Sequence, residues 1–363
     1  MAFVFIFLSI FAATAIPSYA QLSPELIRER TEREWDVKAE KMRRHLLPLM
    51  RVHEIDLWII LSRENTPDPA LDLFGGYGIS GWYGHRNAYL FYDAKAEGLE
   101  TTAIGTHLSG HLDRFYDTRI LYGEEGLAPH LRRYVEARTP NRIAINQSRT
   151  ISMADGLTAE LKGYLVGAIG DPYRERLVSS EPLLVRYVSM RTPAEDMIQR
   201  ESSTATFDIL RRALSDEVIT PGRTSLLDIH YWIVSEWKRL GFEFNFPPTV
   251  DLQRLGVEAL DDSNDSVIQA GDLLHVDFGV RNSGIVADQQ KMAYVLRPEE
   301  TDVPEGLRAA FSLSVRMAEI LREEFKIGRI GSEIKIAAET RAEAEGIDGQ
   351  VYSHAQGNWV HDA

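Results

Sequence analysis

The stretch 271–288 constrains the fold most, because it has the pattern of a β-hairpin with a carboxylate on each strand. Both flanks are rich in β-branched and apolar residues, and turn-forming residues separate them. We place the centre of the turn between Asn282 and Ser283. In that register Asp277 and Asp288 are directly opposed, with Cβ atoms about 4.5–5.5 Å apart on one face of the hairpin.

Two carboxylates this close repel each other unless a positive charge lies between them. A pair of divalent metal ions about 3.5–4 Å apart would fit there. Asp277 ends an apolar run, residues 273–276, that we expect to be buried, and a buried carboxylate needs a partner. The alternative is a solvated hairpin in which both Asp residues are turn formers, and a bulge would change the register.

The composition is that of a globular protein, with 363 residues, 44% hydrophobic and 26% charged. This length predicts two domains or one large domain. The net charge of −14 argues against a nucleic-acid partner, because phosphate binding requires clusters of Lys and Arg. The chain has no Cys, which excludes disulfides, thiolate nucleophiles and thiolate ligands.

Residues 1–20 carry no charge, and residues 2–16 are almost continuously apolar. Ser18 and Ala20 supply small side chains at the two positions that a signal peptidase reads. We therefore expect a signal peptide cleaved after Ala20 and an exported protein, periplasmic or secreted, without stable membrane contact after cleavage. The alternatives are an uncleaved anchor or an N-terminal helix, although the run is short for a membrane span of about 20 residues.

Residues 21–190 alternate helical and extended patterns, which predicts an α/β domain. Helices are predicted at 24–51, 127–137 and 153–166, and strands at 56–62, 87–93, 99–104 and 142–147.

Residues 191–363 predict a separate α+β domain. Its first helix should begin at Pro193, because Thr192 and Glu195 have the spacing of a capping box. Helices are predicted at 193–214, 224–241, 305–326 and 332–344, with the Asp hairpin between the second and the third.

Two His residues, His354 and His361, follow a short β-like run at the end of the chain. Neutral imidazole is a common metal ligand and a common acid–base group. A lone His is more often a surface or hydrogen-bonded residue, but two of them accompany the Asp pair in the same predicted domain.

The motif DFG-x8-D, followed after two helices by SHAQGNWVHD, resembles the metallopeptidase family that contains aminopeptidase P, prolidase and methionine aminopeptidase. The similarity is closest to the aminopeptidase P and prolidase branch. It implies an α+β pita-bread catalytic domain at 191–363, preceded by an α/β creatinase-like N-terminal domain at 21–190.

The resemblance also implies roles for individual residues. Asp277, Asp288 and His354 would be metal ligands for two divalent ions, manganese, cobalt or zinc. His361 would donate a hydrogen bond to the substrate or to the developing oxyanion. A metal-bridging hydroxide would attack the peptide bond before a Pro at the second position of a peptide substrate. Such a bond lacks an N–H. A homo-oligomer is compatible with this branch.

Two features depart from the family pattern. No His lies within 252–271, where this branch has one before the hairpin, and no Glu follows Glu345, although the family site has two Glu ligands further along. We therefore expect an incomplete pita-bread domain with two Glu ligands beyond the chain end, and an inactive fragment of low stability. The alternatives are a non-catalytic pita-bread binding module and a creatinase-like C–N hydrolase. The two Asp residues argue against the hydrolase.

Overall fold

A computed structural model describes residues 23–75, 86–244, 246–257, 263, 266–352, 354 and 356–359. The expected signal peptide, residues 1–20, lies outside the described residues, and so does His361. Within the described ranges, no helix combines the length and the apolar character needed to cross a membrane.

The N-terminal half contains a mixed six-stranded sheet with the strand order β4-β3-β2-β1-β5-β6. Its strands are β1 Leu57–Arg63, β2 Arg86–Asp93, β3 Leu99–Gly105, β4 Thr118–Leu121, β5 Ile143–Ile145 and β6 Leu177–Ser179. The neighbours β1–β2 and β2–β3 are antiparallel, whereas β3–β4, β1–β5 and β5–β6 are parallel.

Helices cover both faces of this sheet. They are α1 Pro24–Lys41, α2 Leu47–Val52, α3 Leu127–Arg138, α4 Ala159–Ile169, α5 Asp171–Arg174 and α6 Glu181–Ser189, with a π-helical turn at Met42–Leu46 between α1 and α2. The central strand β1 is apolar from Leu57 to Leu61 and is buried on both faces. Trp58 and Ile60 enter the core under α1, α2 and α6, while Leu57 and Ile59 enter the core under α3 and α4. The predicted α/β organisation is confirmed.

The C-terminal half begins with α7 Pro193–Ala213, whose predicted capping box between Thr192 and Glu195 is present. The remaining elements are α8 Leu226–Leu240, β7 Glu243–Phe244, β8 Thr249–Gln253, β9 Leu273–Phe278, β10 Val280–Asn282, β11 Ile285–Val286, β12 Gln289–Tyr294, α9 Glu305–Glu324 and α10 Gly331–Ala344. Two three-stranded sheets form, β12-β9-β8 and β11-β10-β7. Helices α7 and α8 pack on the apolar face of β8 and β9, and the α+β prediction is confirmed.

The predicted helix at 153–166 is interrupted. A short 3-10 turn occupies Ser152–Ala154, and α4 begins only at Ala159. Gly156 lies between them against buried Asp68, where a Cβ atom would be 2.3 Å from the carboxyl group. The Thr158 hydroxyl then accepts a hydrogen bond from the Leu161 amide and starts α4.

The β-like run predicted before His354 is also wrong, because Val351 and Tyr352 belong to no strand. Val351 instead packs in the small core between α9 and α10, which bury Ile320 and Ala338 against it. Tertiary packing has overridden the local preference for extended structure.

The register of the hairpin differs from the prediction by two residues. Its turn is Ser283–Gly284, with φ angles of 44° and 77°, as in a type I′ turn. Gly adopts positive φ without a steric penalty, so the turn centres one residue later than we expected. Asp277 is therefore opposed by Gln290 and not by Asp288.

Candidate metal site

Gly279 separates β9 from β10 and brings the two arms of the hairpin into close contact. A Cβ atom at this position would lie 1.6 Å from the carbonyl oxygen of Ala287. The Ala287 amide donates to the Val280 carbonyl at 2.9 Å, so the hydrogen bonding between the two arms continues past Gly279. Asp288 follows directly. It lies two residues before Gln290, which is the residue opposite Asp277. Asp288 and Asp277 therefore lie on the same face of the hairpin.

The two carboxylates interact despite the altered register. The pKa of Asp277 is raised to about 6, first because the group is buried and second because the Asp288 carboxylate is close. Its Oδ2 atom accepts a hydrogen bond from the Gln290 side-chain amide at 3.3 Å. Its Oδ1 atom is buried and has no hydrogen-bond partner among the described residues. A cation between the carboxylates would remove both the repulsion and the unmet demand of Oδ1.

His354 reaches the same place through the C-terminal segment. Its Nε2 atom lies 3.3 Å from Asp288 Oδ2. The segment is attached to the hairpin because the Val286 amide donates to the Gly357 carbonyl at 2.6 Å. The Asn358 side-chain amide donates to the Gly284 carbonyl at 3.2 Å. The structure thus places Asp288 near both Asp277 and His354.

Helix α7 holds the hairpin from the other side with polar side chains at helical spacing. The Gln199 amide donates to the Val286 carbonyl at 2.9 Å, and the Ser202 hydroxyl donates to the Ile285 carbonyl at 3.2 Å. The Thr206 hydroxyl accepts from the Val280 amide at 3.1 Å. The sequence analysis missed this role. The available signal was the set of polar residues, three and four positions apart, on one face of an amphipathic helix.

A polar face adjoins the carboxylate pair. The run 273–276, predicted to be buried throughout, alternates instead: Leu274 and Val276 enter the core, while His275 lies on the face of Asp277. Alternation is expected of a strand that covers a core on one side only. His275 Nδ1 is 3.0 Å from Asp251 Oδ2 and Nε2 is 3.1 Å from Gln290 Oε1.

Both ring nitrogens of His275 face oxygen atoms that can only accept, so both carry protons when the two hydrogen bonds are formed. Burial lowers the pKa of His275, but the hydrogen bonds to Asp251 and Gln290 outweigh it and the pKa is raised. His275 was missed because the search for a further His covered only residues before β9. Its position two residues before Asp277 in a strand was the signal for a shared face.

The fit of these residues to a metal ion rests on the carboxylate pair. Carboxylate oxygens and imidazole nitrogens are the donors that divalent ions such as manganese and zinc accept. Across the described ranges, no three His, Asp or Glu side chains are already grouped around one metal position. Asp277 and Asp288 nevertheless fit a cation, because Asp277 has a buried oxygen without a hydrogen-bond partner among the described residues and its pKa is raised by the nearby Asp288 carboxylate.

Known proteins resemble this chain in sequence profile and in fold. Residues 198–363 match the profile of metallopeptidase family M24. The structure resembles that of the X-Pro aminopeptidase of Thermotoga maritima, with 16% identity, a TM-score of 0.64 and coverage of 87% of this chain and 84% of that one. The Xaa-Pro dipeptidase of Bacillus anthracis is similar with 16% identity, a TM-score of 0.62 and coverage of 90% of this chain and 83% of that one. No curated protein matches the chain at a significant level.

The prolidase of Pyrococcus horikoshii is similar in the same way, with 15% identity, a TM-score of 0.59 and coverage of 89% and 83%. At these identities the likeness establishes the fold. The fold class is a pita-bread domain preceded by an α/β domain, as the sequence predicted. The M24 match covers residues 198–363, somewhat less than half of the chain, and the family that it describes consists of metallopeptidases, hydrolases that use divalent metal ions and act on peptides.

Proposed function

We propose that this protein is a metal-dependent peptidase that cleaves the bond before Pro in peptides with Pro at the second position. The observation that carries the proposal is that the buried Oδ1 atom of Asp277 lacks a hydrogen-bond partner among the described residues, while the nearby Asp288 carboxylate raises the pKa of Asp277. The names of the X-Pro aminopeptidase and the Xaa-Pro dipeptidase that share the fold support the choice of substrate.

In this proposal Asp277, Asp288 and His354 hold divalent ions, two of them in the complete centre. When bound, such ions lower the pKa of water and polarise the peptide carbonyl. A divalent ion takes four or more ligands, so a pair of ions needs donors in addition to these three side chains. Manganese, cobalt and zinc all accept carboxylate and imidazole ligands.

The protein's own side chains would do the remaining work. Gln290 keeps Asp277 oriented, and α7 keeps the hairpin in place. We assign His361, which lies outside the described residues, to hydrogen bonding with the substrate carbonyl as negative charge develops there.

Three further proposals concern the whole chain. Residues 21–190 and 191–363 would be separate domains, joined at the start of α7. Residues 1–20 would be a signal peptide, so that the mature protein is exported to the periplasm or secreted. A homo-oligomer would be compatible with this architecture.

The decisive experiment measures hydrolysis of a short X-Pro peptide by the complete, manganese-loaded protein, with and without a chelator. We expect cleavage that the chelator abolishes and that manganese restores. The matched peptide with Ala in place of Pro should be cleaved more slowly. The variant Asp277→Asn should lose roughly 10³-fold or more in activity, because it removes one charge and one ligand of the proposed centre.

Chelator-insensitive cleavage, or no cleavage by a protein that does bind manganese, would contradict this function. A non-catalytic binding module is the second candidate. It is favoured by the observation that, among the described residues, no three potential ligands are grouped around one position. Absence of any manganese binding near pH 7 would support that candidate.

A further inference from the structure

A chain of hydrogen bonds crosses three neighbouring strands and ends on Asp277. Asp251 is opposed by His275 in the β8–β9 pair, and Gln290 is opposed by Asp277 in the β9–β12 pair. All four side chains lie on the face of the sheet that points away from the core of α7 and α8. The hydrogen bonds therefore connect β8, one edge strand of this sheet, to the carboxylate pair.

Gln290 is the link on which this chain depends. Its amide oxygen accepts a hydrogen bond from His275 Nε2 at 3.1 Å, and its amide nitrogen donates to Asp277 Oδ2 at 3.3 Å. The His275 ring is in turn held by Asp251 Oδ2 at 3.0 Å. Because both ends of the amide are engaged, the side chain cannot rotate without breaking a hydrogen bond.

The hydrogen bond to Asp277 is selective for one oxygen atom. It occupies Oδ2, while Oδ1 is buried and has no hydrogen-bond partner in the part of the chain that the structure describes. A neutral amide suits this task because it orients the carboxylate without cancelling its charge. A Lys or Arg at position 290 would pair with Asp277 and compete with a metal ion. A carboxylate there would repel it.

We propose that Gln290 and His275 are positioning residues of the metal site, which hold Asp277 with Oδ1 directed toward the ion, and that Asp251 anchors them. This inference rests on the metal site of the proposed function. The residues that orient a metal ligand from behind typically change metal affinity or activity by about 10–100-fold when they are replaced.

The first test is manganese binding to the full chain by isothermal titration calorimetry. The variant Gln290→Ala should bind manganese about 10–100-fold more weakly than the unaltered protein, because Asp277 loses its orienting donor. The matched control is Gln289→Ala. Gln289 is on the same strand, and its amide donates to the Ser203 carbonyl at 2.8 Å on the side of α7. Its loss should leave manganese affinity unchanged.

The second test asks whether His275 acts through Gln290. The variant His275→Ala should also weaken manganese binding, but by a smaller factor than Gln290→Ala, because Gln290 would keep its hydrogen bond to Asp277. The double variant should bind no more weakly than Gln290→Ala alone, because side chains that act in series are not additive. Additive losses would show that His275 acts independently of Gln290 and would contradict the proposal that the two side chains act in series.

The outcomes separate this inference from the proposed function. Equal manganese affinity of Gln290→Ala and Gln289→Ala would overturn the inference, whatever peptide is cleaved. The expected difference in affinity without X-Pro cleavage would sustain the inference and contradict the proposed substrate. Absence of manganese binding by the unaltered protein would overturn both.

Discussion

At the scale of single residues, Gly279 determines how closely the two arms of the Asp hairpin approach. Asp277 and Asp288 are not opposed in the ladder, yet the pKa of Asp277 rises because of burial and the nearby Asp288. The close contact between Gly279 and the Ala287 carbonyl precedes Asp288 directly. The absence of a side chain at Gly279 therefore allows the close approach of the two strands that carry the carboxylates.

Replacement of Gly279 by Ala tests this point. The new Cβ atom would lie 1.6 Å from the Ala287 oxygen, so the strands must separate. We expect a loss of about 3 kcal/mol in the free energy of unfolding, measured by denaturant titration, together with weaker manganese binding.

The control is Gly163→Ala in the middle of α4, where a Cβ atom would meet nothing within 4 Å. This change should stabilise the protein by about 0.5–1 kcal/mol, because Ala is the better helix former. Similar stabilities of the two variants would contradict a special role for Gly279.

At the scale of elements, the hairpin packs between α7 and a group of acidic side chains, two of which belong to the N-terminal half. Arg281 on β10 contacts Asp72 at 2.9 Å, Glu34 of α1 at 3.5 Å and Glu243 of β7 at 3.0 Å. Burial raises the pKa of Asp72, but Lys38 and Arg281 outweigh it and the pKa is lowered. The strand next to the candidate metal site is thus connected to α1 by an ion network.

The variant Arg281→Met should destabilise the protein by about 3–5 kcal/mol, because it leaves poorly solvated carboxylates without this cation. The Arg281 side chain is only 18% exposed, so water replaces it poorly. Thermal unfolding at constant pH would measure the change.

Arg28→Ala is the matched control, since Arg28 pairs with Glu32 on the solvent side of α1 and is 79% exposed. Its loss should change the free energy of unfolding by less than about 1 kcal/mol. If both variants lose the same small amount, the Arg281 network does not hold the hairpin.

At the scale of the whole molecule, α1 joins the two halves. Lys41 at its end forms an ion pair with Glu195 of α7 at 2.9 Å, and both side chains are 2% exposed. Val37 of α1 packs with Ile198 of α7 and Ile285 of the hairpin. The first helix of the described chain therefore stabilises the elements that carry the site.

Removal of one partner from the buried pair should be costly. Lys41→Met should lower the free energy of unfolding by about 3–5 kcal/mol, because Glu195 remains buried without the ammonium group. The double variant Lys41→Met with Glu195→Gln should recover part of this loss. A neutral amide avoids the buried charge, and its oxygen can still accept from the Thr192 amide, now bonded to Glu195 at 2.8 Å.

Denaturant unfolding of the single and double variants would measure the recovery. A double variant less stable than Lys41→Met alone would contradict the view that the unpaired charge causes the loss.

Local signals in the sequence predicted most elements correctly. The capping box of α7, the apolar strand β1 and the Gly241 end of α8 depend on residues close in the chain, so their physics is readable without a fold. The Asp pair was also recognised as one face of a hairpin. Its register was not, because a positive-φ turn can begin at more than one place in Asn282-Ser283-Gly284.

The sequence by itself determined the two-part α/β and α+β organisation and the candidate donors, two Asp residues on one face of a hairpin and a distant His. Only the tertiary structure decided what surrounds Asp277. Asp251, His275 and Gln290 converge through the pairing of three strands, and Arg281 meets carboxylates about 40 to 250 residues away in sequence. Such contacts depend on long-range packing, which residue spacing in the sequence does not encode.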